Sequence, residues 1–161
     1  MNPTHQVRVA TEIDAPAADV WARVSEHEDT PSWVEAAKRV TLERAGEADR
    51  NGLGAIRVVE FKPRLWSTIH EEIVGFDPPR AFEYVLFKGM PGLRDHLGRV
   101  AVDDLGQDRS RLRWEVDFEF RTVHPFRPFV PSFVRDFEGV LREALASLKG
   151  QLEPRAVTAS R

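Results

Sequence analysis

Residues 110–120, SRLRWEVDFEF, constrain this chain more than any other stretch. Leu112, Trp114, Val116, Phe118 and Phe120 share one side of a two-residue repeat, and Arg113, Glu115, Asp117 and Glu119 share the other. Such alternation belongs to a strand with one face in a core and one in water, so the chain must build a sheet that is apolar on one side only. The cover for that side lies further on. From Ser132, which can cap a helix, Phe133, Phe137, Val140, Leu141, Ala144, Leu145 and Leu148 recur at helical spacing, while Arg135, Glu138, Arg142 and Glu143 form the opposite face.

The remaining segments supply more strands. QVRVATEID alternates from Val7 to Ile13, and the stretch APAADVWARVSE then reads as a short helix, with Asp14 able to cap it and Pro16 in its first turn. A second short helical piece carries Trp33, after Pro31. KRVTLER, AIRVVEFK, STIHEEIVGF, AFEYVLF and the run after GMPG follow as strands separated by turn-rich segments. One strand, two short helices, six more strands and a long terminal helix make an α+β pattern with an antiparallel sheet. A strongly curved seven-stranded sheet covered by a single helix leaves space between the two. Residues 1–152 read as one domain and 153–161 as a frayed tail.

Bulk composition excludes several classes. The chain has 161 residues, 23 Lys plus Arg against 26 Asp plus Glu, and no block of like charge, which argues against nucleic-acid binding. Cysteine is absent, so there is no disulfide framework, thiolate metal site or cysteine nucleophile. MNPTHQVRV enters a strand pattern at once and no long uncharged apolar run follows, so no transmembrane segment and a cytoplasmic location are expected. GLGA at 52–55 lacks the third glycine of a dinucleotide loop and precedes a strand. No cofactor is expected. The five histidines show no ligand-spaced pair, so no metal is expected either, and the serines have no nucleophile-elbow context.

Two stretches carry candidate chemistry. In GMPGLRDHLGRV, His96 shares its face with Gly98, Val100 and Val102, which puts an imidazole on the apolar side, with Arg94 and Asp95 close by. In STIHEEIV, Glu71 and Glu72 are neighbours, so one carboxylate faces inward in either register. The alternation by itself favours Ile69, Glu71 and Ile73 as the inner set. The EHED cluster at 26–29 reads as a solvated helix end.

In their order and spacing, APAADVWARVSEHEDTPSWVE, GFDPPRAFEY, RDHLGRVAV and SRLRWEVDF resemble the polyketide cyclase/dehydrase-like members of the START-like (SRPBCC) superfamily, over roughly residues 6 to 150. The resemblance implies the helix-grip fold and a deep, largely apolar cavity between sheet and C-terminal helix. It also favours the other register of STIHEEIV, with Thr68, His70, Glu72 and Val74 inward and Glu72 standing where characterised aromatase/cyclases carry an arginine. The expected catalytic cluster is then His96, Glu72 and His70, with Arg94 and Asp95 binding substrate at the rim. Trp33, Trp66, Tyr84, Trp114, Phe118 and Phe137 are the expected pocket lining. HPFRPFVPSF could gate the entrance or meet a partner.

These readings imply a hydrophobic, polyketide-like or lipid-like ligand, handled by acid/base proton transfer in a cyclase/dehydratase-type reaction. A non-catalytic carrier or sensor is the alternative, and an interaction module with a filled cavity is a third. A homodimer is left open.

Overall fold

The computed structural model describes residues 4–62, 68–121, 125 and 127–154. Seven strands, β1 (Thr4–Ile13), β2 (Ala37–Arg44), β3 (Ile56–Phe61), β4 (Thr68–Asp77), β5 (Ala81–Lys88), β6 (Leu93–Gly106) and β7 (Arg109–Phe120), form one antiparallel sheet in the order β1-β7-β6-β5-β4-β3-β2. Helix α1 (Ala17–Val24) and a 3-10 helix (His27–Ser32) lie between β1 and β2, and the long helix α2 (Val130–Leu152) follows β7. The expected α+β helix-grip fold, with a curved sheet around a C-terminal helix, is the observed one.

Strand β7 is buried at every second residue from Ser110 to Phe118, as its alternation demands. Val7, Val9 and Ile13 of β1 pair with Val116, Trp114 and Ser110 in a ladder without a register shift. The β6–β7 hairpin closes through Gln107 and Asp108, both at φ 55°, the left-handed conformation that a two-residue turn requires. Register shifts in the β2–β3, β4–β5 and β6–β7 ladders place bulges along the sheet, and bulges deepen twist. The curled sheet receives Leu141, Ala144, Leu145 and Leu148 of α2, each at most 2 % exposed. Among the described residues no helix is long and apolar enough to cross a membrane.

Boundaries differ in detail. Helix α2 begins at Val130, before Ser132, because Pro131 suits the first turn and needs no amide partner there. Pro16 is the N-cap residue of α1, which has no side-chain cap, and Asp14 does not fill that role. The second short helix is a 3-10 turn that ends before Trp33 and contains Pro31. Glu153 is the C-cap residue of α2 and is anchored there: its carboxylate accepts the Asp14 N–H at 2.9 Å and pairs with Lys149 at 3.0 Å. Residues 155–161 lie outside the described residues.

Candidate functional site

A cavity of about 360 Å³ separates the concave face of the sheet from the N-terminal half of α2. Val59, Phe61, Ile69, Trp114 and Phe118 line it from the sheet, and Phe133, Phe137, Val140 and Leu141 from the helix. Phe129, 66 % exposed, contributes from the turn before α2. On the sheet, Arg57, Glu71, Tyr84 and His96 form a polar patch against this apolar lining; Thr30, Ser132 and Asp136 are the other polar side chains at the cavity.

The patch follows from strand register. Arg57 of β3 and Glu71 of β4 are direct cross-strand partners. Tyr84 of β5 lies opposite Ile73 and Gly98, two residues from the partner position of Glu71 on one side and from His96 on the other. Side chains two residues apart share a face, so four neighbouring strands each send one polar group to the same wall.

Arg57 Nε donates to Glu71 Oε2 at 2.7 Å, and both side chains are only 7 % exposed. The guanidinium carbon stands 4.6 Å from the Tyr84 ring centre and 5.7 Å from that of Phe82, a cation–π arrangement on its open side. Tyr84 Oη accepts the Trp114 Nε1–H at 2.8 Å. Burial, with the nearby Glu71 charge second, pushes the Tyr84 hydroxyl well above the ordinary phenol range, so it stays protonated. A Cβ at Gly98 would come within 2.1 Å of Tyr84 Cζ, so the ring lies directly on bare backbone.

His96 shares the inner face of Gly98, and a bulge beside it changes the direction of the residues that precede it. Between the pairs Arg94↔Glu119 and Leu97↔Asp117 the β6 strand has two residues against one, and Asp95 adopts φ 48°. Past Tyr84↔Gly98 the β5–β6 ladder ends while β5 runs on to Lys88, and the Leu86 N–H donates to His96 Nδ1 at 3.0 Å instead. A neutral ring so engaged carries its proton on Nε2. Burial lowers the His96 pKa from its ordinary value, Glu71 working against that shift and Arg57 with it, so the ring is neutral at pH 7.

The structure revises several expected site residues. Glu72 and His70 lie on the other face of β4 and not in the cavity: Glu72 pairs with Arg44 at 3.0 Å, half in solvent, and His70 Nδ1 meets Glu43 at 2.9 Å. The physical reason is that the Glu72-inward register would expose Ile69 and Ile73, which are 5 % and 0 % exposed. Glu71 therefore holds the inward position that the alternation favours. The Asp95 bulge turns Arg94 and Asp95 outward, and Leu93 lines the cavity in their place. Trp33 is buried against Trp114, ring centres 5.7 Å apart, and is not a lining residue. Tyr84, Trp114, Phe118 and Phe137 do line the cavity, and Trp66 lies outside the described residues.

Two residues of the cluster escaped the sequence reading. Arg57 was hidden because each face of IRVVEF holds two apolar residues and one charge. His27 lies in the EHED stretch, whose charge predicts a solvated helix end, yet it is wholly buried, with Nδ1 3.2 Å from Arg57 Nη1. The available signal was the cross-strand placement of Arg57 and Glu71, one opposite charge on each apolar face.

A curved sheet closed by one long helix over an apolar cavity defines the helix-grip class. The chain belongs to the family described as polyketide cyclase/dehydrase and lipid transport, whose model matches residues 4–153. Among solved structures, the Zhui aromatase/cyclase from Streptomyces sp. R1128 is similar at 17 % identity and TM-score 0.75, covering 98 % of this chain and 99 % of the other. A START superfamily protein from Mycobacterium smegmatis gives 20 %, 0.71, 92 % and 97 %. Norcoclaurine synthase from Thalictrum flavum, in complex with dopamine and hydroxybenzaldehyde, gives 15 %, 0.68, 96 % and 91 %. At these identities the likeness establishes the fold. No match was found among curated proteins.

Proposed function

We propose that the cavity binds a hydrophobic, oxygen-bearing molecule of polyketide or lipid type, and that the protein acts on it as a cyclase/dehydratase by proton transfer. The observation that carries this reading is the buried Arg57–Glu71 pair beside a neutral imidazole, on a sheet wall whose other lining side chains, Tyr84 apart, are apolar. Charge and hydrogen-bonding groups gain strength where water is excluded. The Glu71 carboxylate takes the proton from a carbon next to a substrate carbonyl, and the electron pair moves onto the carbonyl oxygen. His96 Nε2–H and the Arg57 charge stabilise that oxygen. As the carbonyl reforms, the proton on Glu71 passes to a β-hydroxyl, the C–O bond breaks, and water leaves behind a conjugated double bond. The carboxylate is restored, with no covalent intermediate and no redox change.

The ion pair that Arg57 and Glu71 form with each other favours a second reading, a carrier whose patch only orients the ligand. Incubation of the full chain with an aryl β-hydroxyketone in D2O, followed by NMR, separates the two. The expected result is α-deuterium exchange and water loss, reduced at least about 100-fold by Glu71→Gln and unchanged by Glu72→Gln. Binding without exchange in the unsubstituted protein leaves the carrier reading, and no binding overturns both.

A further inference from the structure

His27 lies outside the cavity, yet it is wholly buried and touches the Arg57–Glu71 ion pair that faces in. Its Nε2 is 2.8 Å from the backbone carbonyl oxygen of Asn51, which can only accept, so Nε2 carries a proton. Its Nδ1 is 3.2 Å from Arg57 Nη1, which can only donate, so Nδ1 presents a lone pair. Both contacts demand one state of the ring, the neutral Nε2–H tautomer. A protonated ring would set donor against donor and place two cations side by side in the core. Burial, then the Arg57 charge, push the His27 pKa down to about 3, which agrees with this geometry.

The anchor beyond His27 is stiff. The Asn51 N–H donates to Asp49 Oδ1 at 2.8 Å, its side-chain amide donates to Glu26 Oε2 at 3.2 Å, and the Gly52 and Ala55 amides close turns within the same β2–β3 loop. On its other side the imidazole stands edge-on to Phe82, ring centres 5.1 Å apart, which fixes its plane. A continuous path therefore runs from the loop backbone through His27 to Arg57, and from Arg57 to the Glu71 carboxylate. Remove the imidazole, and Arg57 keeps Glu71 at Nε and the Tyr84 and Phe82 faces but loses its contact at Nη1.

We propose that His27 is a positioning residue for the ligand-facing Arg57–Glu71 pair: a neutral, single-tautomer spacer that ties the pair's geometry to the backbone of the β2–β3 loop. The functional half of this inference rests on the reading of that pair as the ligand's polar contact; the structural half does not. It assigns a role to the most buried histidine among the described residues, and it makes a loop remote from the ligand a determinant of how the cavity's charge is aimed.

The test uses the full chain labelled with 15N. In the unsubstituted protein, imidazole spectra at pH 6 should show His27 neutral and protonated at Nε2 alone; a protonated ring or a tautomer mixture overturns the proposal without recourse to any variant. In His27→Phe, loss of the acceptor for Arg57 Nη1–H should loosen the guanidinium and with it the Nε–H bond to Glu71, speeding hydrogen exchange at Arg57 Nε–H at least about tenfold. His27→Gln, whose amide offers an oxygen to Arg57 and an N–H to Asn51, should restore exchange to within about threefold. Equal exchange in all three proteins overturns the positioning role. Affinity for 8-anilinonaphthalene-1-sulfonate, as the cavity probe, should fall about tenfold in His27→Phe and recover in His27→Gln. If exchange responds and probe affinity does not, His27 positions Arg57 but the pair is not the ligand's contact, so the functional half falls and the structural half stands.

Discussion

Replacing Arg57 by methionine leaves a side chain of similar length without charge or donors, and strands Glu71 in a site where only 7 % of its side chain meets solvent. Breaking a buried pair from one side costs about 3–5 kcal/mol, because the remaining charge keeps its desolvation penalty and loses its compensation. An unfolding entropy of about 2.1 cal/mol/K per residue over 161 residues converts this to a Tm drop of roughly 9–15 °C. The double variant Arg57→Met, Glu71→Met removes both charges and refills the volume, which restores stability to within about 2 kcal/mol of the parent, the residue being the unpaired His27 Nδ1. Urea unfolding at pH 7, followed by tryptophan fluorescence with m-values compared, measures both. The double variant should be stable and yet fail to bind oxygen-bearing ligands, separating the pair's role in recognition from any role in folding. A loss below about 1 kcal/mol for Arg57→Met would refute the reasoning, since it would mean that water reaches the pair and screens it.

Two further outcomes follow from the same wall. Gly98→Ala drives a methyl into the Tyr84 ring, so the ring must swing into the cavity and release Trp114; we expect about 1–3 kcal/mol of destabilisation in thermal unfolding, with the cavity probe displaced. The pH dependence of stability has a definite sign. His27 is held at a pKa of about 3 in the folded chain against its ordinary 6.5, so the unfolded chain binds more protons there across that window, and the downward shift of His96 has the same sign. The His27 contribution is therefore retained above about pH 6.5 and lost as pH falls from there toward 3, by at most about 1.4 kcal/mol per pH unit, and His96 adds to the loss in the same direction. Unfolding midpoints from pH 7 to 4 should show a flatter curve for His27→Gln, and parallel curves would contradict the assignment.

The fold was legible because its signals are long and mutually consistent. The β7 alternation, the heptad-like spacing on α2 and the turn residues between strands each point to the same one-sided sheet with one helical cover. The helix termini were less legible. Asp14 and Ser132 have the chemistry of caps, yet neither α1 nor α2 uses a side-chain cap, and what sets their ends is Pro16 and Pro131 together with packing.

The site was legible only where a single strand determines direction. His96 could be placed inward from Gly98, Val100 and Val102 because an apolar run on one face leaves little choice, although the bulge that excludes Arg94 depends on a local left-handed residue that the alternation does not reveal. For β4 the alternation pointed to Glu71 and the family likeness to Glu72. Packing decides for Glu71, since burying two isoleucines outweighs the preference of any one carboxylate for water, about 1.5–3 kcal/mol for each apolar side chain. That choice is affordable only because β3 offers Arg57 at the facing position. A charge inside a sheet is thus a property of two strands read together: TIHEEIV announces an inward carboxylate, IRVVEF does not announce its partner, and their register joins the two.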